Sequence, residues 1–466
     1  MTDLVAIDRL SQTHLVVIVT ALPGAGRTHL ARALLELHRA RSPRSHSATR
    51  YLSLANSEDR AVLAHIEHIF KQPHPSADDP SAAPLLVIDD ADWAALLPLV
   101  SRIPSEFPST VRIVCFVAAT PARALRFAER RLEEVAAATG RQPLALHRLS
   151  GLPAVDILSQ QPDQWPTAWV RGLLAKSYFA PSDQASYAFR QRTLSELCVR
   201  HEPGVPAAPA PRTAEQRHAR RLDLLEERRL LGDLDALLNE YPELQPFYQP
   251  RSKGSDVLLR FSSILAAAAG DPVNYAAFGR ACGVSNHTAE SYTTLLERGL
   301  LIMRQPAYVP RPAPSPGQPA GRKRLVRRPR LLFTDSGLLH AALGLRSLSK
   351  LLGHARAAHS WRNFVVAILL QRLGLAVGEM PFWSTHTGAW VDAIWWRTEG
   401  AAAAVATLEA RPRLTKAIKA ACTDLDLERL WLICPGNRSY QLEQRVHVVA
   451  MRDIATLTES GGAWAG

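Results

Sequence analysis

The sequence predicts an α/β protein whose amino-terminal part is built on a parallel sheet. Short apolar runs rich in β-branched residues occur at 15–19, 85–88 and 113–117. Helical patterns such as "THLARALLELHRA" separate these runs. Strands and helices that alternate in this way are typical of a parallel sheet covered by helices on both faces.

Composition limits the classes of protein. At 466 residues the chain is long enough for about three domains of roughly 150 residues. The excess of 55 Lys and Arg over 43 Asp and Glu favours polyanionic partners such as nucleic acid. Five cysteines without a C-x-x-C pair argue against a zinc ribbon or a disulfide framework. Without a basic apolar leader or a long apolar run, we expect a cytoplasmic protein with no membrane contact.

The segment "ALPGAGRTHL", residues 21–30, follows an apolar strand and opens a helix. It is close to the phosphate-binding pattern G-x-x-x-x-G-K-[ST], in which backbone N–H groups and the helix N-terminus face phosphates. The candidate nucleotide-binding residues are Pro23, Gly24, Ala25, Gly26, Arg27, Thr28 and His29. Thr28 is the expected Mg²⁺ ligand. A glycine-rich turn without a ligand is the alternative.

Two substitutions in this segment bear on catalysis. Ala21 replaces the outer glycine of the pattern, and Arg27 replaces its lysine. A planar guanidinium fits a narrow loop less well than a compact ammonium group. We therefore expect the loop to bind ATP with Mg²⁺ but to support slow hydrolysis at most.

The segment "PLLVIDDADW", residues 84–93, is an apolar strand that ends in carboxylates. Asp89 is the candidate for holding Mg²⁺ through water, and Asp90 for polarising the attacking water. An Asp at the second position is one methylene shorter than the usual Glu, which again predicts slow turnover. Thr120, just past the next strand, is the candidate sensor of the γ-phosphate.

A second pattern points to nucleic acid. Short helices over 261–298 contain a Gly-Val-Ser turn with Ser285 as N-cap, and a strand follows them. This order is that of a winged helix, in which the start of the last helix presents polar side chains to DNA. The candidate nucleic-acid-binding residues are Asn286, His287, Thr288, Arg322, Lys323, Arg324, Arg327, Arg328 and Arg330. A solvated basic loop, or a site for an acidic partner, is the alternative for the basic run.

Three longer stretches carry a family resemblance: "WVRGLLAKSYFAPSDQASYAFRQRTLSELCVR", "KRLVRRPRLLFTDSGLLHAALGL" and "LLGHARAAHSWRNFVVAILL". With the loop and the carboxylates, they make the chain resemble the bacterial AAA-type ATPases that carry a C-terminal DUF4143 domain (AAA_14/DUF4143), as a divergent member. The resemblance implies an AAA-type P-loop NTPase domain, a helical and winged-helix middle, and an α/β C-terminal domain similar to PD-(D/E)xK nucleases.

The resemblance implies four parts. They are a P-loop domain at 1–160, a helical segment with a proline-rich linker and a charged helix at 161–255, a winged-helix domain at 256–330, and a nuclease-like domain at 331–466. It also suggests a homo-oligomer, in which Arg141 is the candidate arginine finger acting on a neighbouring subunit.

The nuclease-like part departs from the family pattern at the metal site. The expected helix Glu is Arg362, an expected acid is Trp390, and the water-activating lysine is Arg411. Asp392 and Glu409 remain as candidate ligands of a vestigial metal site. These departures favour an inactive nuclease-like scaffold over an active metal-dependent nuclease.

Together the patterns predict an ATP-binding protein with little or no ATPase activity, whose nucleotide state governs contact with DNA or a protein partner. A scaffold that binds nucleic acid or protein and takes no nucleotide remains the alternative from another functional class. An active nuclease is the third hypothesis.

Overall fold

The computed structural model describes residues 2–41, 49–66, 83–106, 111–117, 122–149, 151–199, 255–309, 325–398 and 400–456. They form two compact units that divide at Leu149 and Ser150. The predicted linker and charged helix between 205 and 241 lie outside the described residues. The four-part division from the sequence is finer than these two units and stays a prediction.

The first unit alternates helices and strands. In chain order its elements are α1 (Thr2–Thr13), β1 (His14–Ala21), α2 (Arg27–Arg41), β2 (Arg50–Ser53), α3 (Ser57–Ala64), β3 (Leu85–Ala91), α4 (Trp93–Glu106), β4 (Arg112–Val117), α5 (Ala122–Thr139) and β5 (Gln142–Leu149). The five strands form one parallel sheet in the order β2-β3-β4-β1-β5. The α/β class and the parallel sheet predicted from the sequence are confirmed.

Burial explains why the central strands are continuous apolar runs. Every residue of β4 is buried, as are the last seven residues of β1. A strand flanked by two strands and covered by helices on both faces has no solvent side, so it needs apolar residues at successive positions. The core of this unit packs side chains of β1, β3 and β4 against α4 and α5.

Strand order determines where a ligand can enter. The neighbouring strands β1 and β4 are followed by connections that lead to opposite sides of the sheet, to β2 and to β5. In open parallel sheets, ligands bind in the crevice at the carboxyl ends of strands at such a point of reversal. The loop between β1 and α2 lies at this edge.

The second unit begins with helices: α6 (Ala154–Gln160), α7 (Trp165–Arg171), α8 (Ala175–Tyr178), α9 (Asp183–Val199), α10 (Ser255–Ala267), α11 (Tyr275–Cys282) and α12 (Asn286–Arg298). The hydroxyl of Ser285 accepts a hydrogen bond from the Thr288 amide, which confirms Ser285 as the N-cap of α12. The antiparallel strands β6 (Ile302–Gln305) and β7 (Arg330–Phe333) follow as a pair.

The rest of the second unit is α13 (Ser336–Ala342), α14 (Leu348–Leu352), α15 (Ala357–Leu373), β8 (Trp383–Ser384), β9 (Trp390–Val391), β10 (Ala393–Arg397), β11 (Gly400–Ala406), α16 (Lys416–Asp424), β12 (Leu427–Cys434), β13 (Tyr440–Glu443) and β14 (Val446–Ala450). Five of these strands form a mixed sheet in the order β10-β11-β12-β14-β13, and β8 pairs with β9. The rings of Trp395 and Trp431 stack on this sheet at 4.9 Å.

Two of the stretches that carry the family resemblance bind one another inside the second unit. The Asp335 carboxylate caps α13 through the Leu338 amide and also accepts a hydrogen bond from the Leu173 amide. The Ser336 hydroxyl donates to the Trp169 carbonyl at 2.8 Å. These distinctive residues therefore hold the helices together, because each satisfies a buried polar group of the other stretch.

Candidate nucleotide-binding site

The loop between β1 and α2 forms a tight turn built on two glycines. Gly24 and Gly26 have φ angles of 80° and 94°, in the left-handed region that side chains other than glycine rarely enter. A Cβ at Gly26 would meet no atom within 4 Å, so backbone conformation, and not crowding, requires glycine there. The Leu30 amide donates to the Gly26 carbonyl, which joins the loop to the first turn of α2.

The rest of the loop supports this turn. Ala25 is buried, and its amide donates to the Leu22 carbonyl at 3.2 Å. Pro23 and Thr28 are half-buried, and His29 is exposed. All seven predicted residues therefore lie at the carboxyl edge of the sheet, in the turn at 23–26 and in the first turn of α2.

A β-bulge at the end of β3 separates the two neighbouring carboxylates. Ile88 pairs with Cys115 and Ala91 with Val117, so Asp89 and Asp90 together span a place where β4 has one residue fewer. Asp90 has a φ of 51°, an unusual angle for a residue other than glycine. As a result Asp89 is fully buried, while the Asp90 side chain is 40% exposed.

Both oxygens of Asp89 have partners within the unit. Oδ1 accepts the Asp90 amide at 2.9 Å, and Oδ2 accepts the hydroxyl of Tyr51 at 3.0 Å. Burial and the adjacent Asp89 charge raise the pKa of Tyr51 to about 12, so its hydroxyl stays protonated and continues to donate. Sequence reasoning missed Tyr51, although its place in the short strand "RYLS" puts it on the strand that pairs with β3.

One ion pair connects the loop with the end of β3. Nη2 of Arg27 lies 3.7 Å from Oδ1 of Asp90. Arg27 is largely buried, its side chain being 11% exposed, so the pair is screened less than a surface ion pair. The two residues predicted to act on the nucleotide and on the attacking water are therefore neighbours, and they neutralise each other here.

Of the two other predicted catalytic residues, only Arg141 lies within the described residues. Thr120 lies outside the described residues. Arg141 precedes β5, and its guanidinium donates to the backbone carbonyls of Val111, Ser11 and His14. Val111 and His14 lie at the amino ends of β4 and β1, and Ser11 lies in α1 just before β1, so Arg141 binds backbone at the edge of the sheet opposite the loop.

In the second unit, the Asp392 carboxylate is surrounded by arginines. Its Oδ1 lies 3.1 Å from Nη1 of Arg330 and 2.5 Å from Nε of Arg362. Its Oδ2 accepts the Ala406 amide at 2.9 Å, and the side chain is fully buried. Glu409 is exposed, as is Arg411. Within the described ranges, His, Cys, Asp and Glu side chains form no group of three that could hold a metal ion.

The predicted nucleic-acid residues differ in exposure. Asn286 and His287 are exposed at the start of α12, and Arg327 and Arg328 are exposed ahead of β7. Thr288 is half-buried beside its cap. The residues outside the described part of the chain are Arg322, Lys323 and Arg324.

The prediction that Arg330 contacts nucleic acid is contradicted by its burial. Only 4% of Arg330 is exposed, and its Nε donates to the Gln305 side chain at 2.7 Å. Its guanidinium lies over the ring of Phe382, and burial lowers its pKa to about 10 despite the neighbouring Asp392. All of these partners are internal, so Arg330 serves the core of the second unit.

Within the part of the chain that the structure describes, no helix has the length and apolar character needed to cross a membrane.

Comparisons with known proteins cover the chain unevenly. A family model described as a domain of unknown function (DUF8612) matches residues 245–349, and it is not the DUF4143 model. Uncharacterised proteins from Mycobacterium bovis and Mycobacterium tuberculosis are each 24% identical over 387 residues, which is 80% of this chain and 72% of theirs.

Solved structures match this chain only weakly, both in sequence and in backbone superposition. The ORC2 protein of Aeropyrum pernix in its ADP form is 12% identical, with a TM-score of 0.28 over 65% of this chain and 86% of that one. A signal-transduction ATPase with numerous domains from Pyrococcus horikoshii is 11% identical, with a TM-score of 0.20 over 79% of this chain and 44% of that one. Scores this low do not establish a common fold, so the first unit is best described by its own strand order and loop geometry.

Proposed function

We propose that the first unit is an AAA-type nucleotide-binding domain that holds ATP with Mg²⁺ and hydrolyses it slowly or not at all. Its nucleotide state then governs contact with DNA or a protein partner. The observation that carries the proposal is the meeting of a two-glycine turn and the Asp89–Asp90 bulge at one edge of a parallel sheet. Proposed relatives are the bacterial ATPases with a DUF4143 domain.

The residues present fit the chemistry of a bound nucleotide. Backbone amides at the start of α2, with Arg27, would hold the phosphates. Thr28 and Asp89 would serve Mg²⁺ directly or through water, because that ion prefers hydroxyl, carboxylate and water oxygens. Asp90 would orient the attacking water. Magnesium bound to the phosphates would neutralise charge that builds up during transfer.

Slow turnover follows from the Arg27–Asp90 pair. An arginine that contacts Asp90 must exchange this partner for phosphate oxygens when a nucleotide binds. Its planar guanidinium group also spreads the positive charge over a larger area than an ammonium group does. Binding with little hydrolysis is therefore the outcome we favour.

Contact with DNA would involve the second unit. The capped helix α12 follows α11 through a short turn, and the β6–β7 pair comes next, as in a winged helix. Exposed Asn286 and His287 at the start of α12 are of the types that read base edges. A homo-oligomer in the cytoplasm remains part of the proposal.

A scaffold without nucleotide is the second candidate. The same Arg27–Asp90 pair favours it, because a loop arginine that already has a carboxylate partner needs no phosphate to balance its charge. The arginines around Asp392 count against a metal-dependent nuclease, because they bring positive charge to the carboxylate where a metal ion would bind.

Titration of the full chain with a fluorescent ATP analogue, with and without Mg²⁺, tests the proposal. We expect saturable binding below millimolar that Mg²⁺ strengthens and that the Thr28→Ala, Asp89→Ala double variant loses. Glu36→Ala, exposed on the same helix α2, is the matched control and should keep wild-type affinity. Absence of saturable binding below millimolar would favour the scaffold instead.

A further inference from the structure

The second unit exposes two tryptophans near its β8–β9 pair. Trp396 is 53% exposed, and Trp390 is 37% exposed. Tryptophan is usually well buried because its ring removes a large apolar area from water. Exposed apolar side chains that lie side by side commonly mark a binding site, whereas single ones are common on protein surfaces.

The indole of Trp396 has a fixed aromatic neighbour. Its ring centroid lies 5.3 Å from that of Tyr308. The Tyr308 amide donates to the Phe382 carbonyl at 2.6 Å, and Ala307 forms a bridge with Phe382. The backbone beside β8 therefore holds Tyr308 in place, and Trp396 packs against it while about half of its surface faces solvent.

Strand register brings Trp390 close to exposed arginines. Trp390 pairs with Ser384, whose carbonyl accepts the Val326 amide at 2.9 Å. Neighbouring strands are about 4.8 Å apart, so the backbones of Trp390 and Val326 lie roughly 10 Å apart. Arg327 and Arg328 come directly after Val326 and are exposed.

Charge along this part of the chain has one sign. The stretch 301–330 contains no acidic residue and eight basic ones: Arg304, Arg311, Arg322, Lys323, Arg324, Arg327, Arg328 and Arg330. Arg330 is buried, whereas Arg327 and Arg328 are exposed, and Nη1 of Arg328 also donates to the Val273 carbonyl at 3.1 Å. The exposed members favour an anionic partner, because clustered arginines neutralise phosphates.

Aromatic rings beside arginines favour unpaired bases over duplex DNA. In a duplex the faces of the bases are stacked on one another, whereas a single strand offers them to aromatic side chains while its phosphates follow the basic residues. An apolar partner would not account for the exposed arginines. Duplex DNA would not account for the exposed tryptophan rings.

We propose that Tyr308, Trp390 and Trp396, with Arg327 and Arg328, form a surface that binds single-stranded nucleic acid. Bases stack on the exposed indoles, and phosphates pair with the arginines. The proposal rests on the nucleic-acid part of the proposed function and is independent of ATP binding at the loop.

Fluorescence anisotropy of a labelled twenty-nucleotide poly-dT strand, titrated with the full chain without nucleotide, tests the surface. We expect the Trp390→Ala, Trp396→Ala double variant to lose at least about tenfold in affinity, since stacking of bases on aromatic side chains contributes much of the affinity for a single strand. Leu352→Ala and Tyr440→Ala, at other exposed apolar positions of the unit, should keep wild-type affinity. Circular dichroism and thermal unfolding establish that every variant is folded.

The dependence of affinity on salt concentration tests the contribution of the two arginines. The Arg327→Ala, Arg328→Ala double variant should bind more weakly. Its slope of log affinity against log salt concentration should be shallower, as expected when about two phosphate contacts are lost. Unchanged affinity in the double-tryptophan variant would overturn the proposal, as would equally tight binding of a blunt duplex that depends on the same tryptophans. Self-association lost in that variant, with no strand bound by the wild type, would identify a protein interface instead.

Binding of the ATP analogue and binding of the single strand are measured separately, so failure of one proposal is distinguishable from failure of the other. If wild-type protein binds the strand but no ATP analogue, the nucleotide-binding proposal fails and the surface stands. If it binds the analogue but no strand, the surface fails and nucleotide binding stands.

Discussion

Nε of Arg362 lies 2.5 Å from Oδ1 of Asp392, and Nη1 of Arg330 reaches the same oxygen at 3.1 Å. Two arginines, one of them on helix α15, therefore supply the positive charge beside this buried carboxylate.

Asp392→Asn is expected to destabilise the second unit. It leaves the buried Arg330 without its counter-charge, and breaking a buried ion pair by removing one partner typically costs about 3–5 kcal/mol. Urea unfolding followed by circular dichroism measures the loss. Glu409→Gln, at the exposed second acid, should leave the free energy of unfolding unchanged. A stable Asp392→Asn protein that loses Mn²⁺-dependent plasmid cleavage shown by the wild type would mean that Asp392 is catalytic.

Local pattern was sufficient to predict the loop and the carboxylates. An apolar strand, glycines with positive φ and a helix start depend on residues adjacent in the chain, and the structure has all three. The Arg27–Asp90 pair joins residues on β3 and α2, which are far apart in sequence. Its contact depends on strand order and on the bulge at Asp89, which a single sequence does not encode locally.

The Arg27→Lys, Asp90→Glu double variant is expected to hydrolyse ATP with a rate constant at least about tenfold higher than that of the wild type. This increase corresponds to about 1.4 kcal/mol of transition-state stabilisation. Lysine gives a compact charge for the phosphates, and glutamate extends the carboxylate by one methylene toward the water. A coupled assay of phosphate release measures the rate. Glu36→Ala should behave as the wild type. A double variant with no gain in rate, although it binds ATP, would show that slow turnover has another cause.

Charged side chains were the hardest to assign from sequence. Arg328 and Arg330 are two positions apart in one basic run. Arg330 is buried and forms an ion pair with Asp392, whereas Arg328 is exposed. Burial of an arginine depends on a distant acceptor, so composition alone cannot separate the two. The exposed tryptophans were missed for a similar reason, since an apolar residue in a strand is expected to face the core.

Arg141→Ala is expected to destabilise the first unit by about 2–4 kcal/mol, because charged donors to three backbone carbonyls are lost at the amino edge of the sheet. ATP affinity should not change, since the loop lies at the opposite edge. Chemical denaturation and analogue titration measure the two effects. Arg148→Ala, exposed on β5, is the control for stability. Wild-type stability combined with lost hydrolysis would restore the arginine-finger hypothesis.

His340 is expected to make the second unit sensitive to acid. It is buried, its Nδ1 contacts the Val170 carbonyl and its Nε2 the Ser360 hydroxyl, and burial lowers its pKa to about 3. Between that value and the ordinary value of about 6.5, the unfolded chain binds a proton that the folded chain does not. Stability is therefore present above pH 6.5 and is lost as the pH falls below it, by up to about 1.4 kcal/mol per pH unit.

His340→Gln removes this proton while it keeps one donor and one acceptor in the side chain. We expect the variant to be less stable than the wild type at pH 7.5, but to show a shallower fall in the free energy of unfolding between pH 6.5 and 4.5. Urea titrations at several pH values measure the slope. His386→Gln, at an exposed histidine, should keep the wild-type slope. An equally steep fall in His340→Gln would mean that other groups, such as the ion-paired carboxylates, carry the acid sensitivity, because their protonation also removes stability as the pH falls.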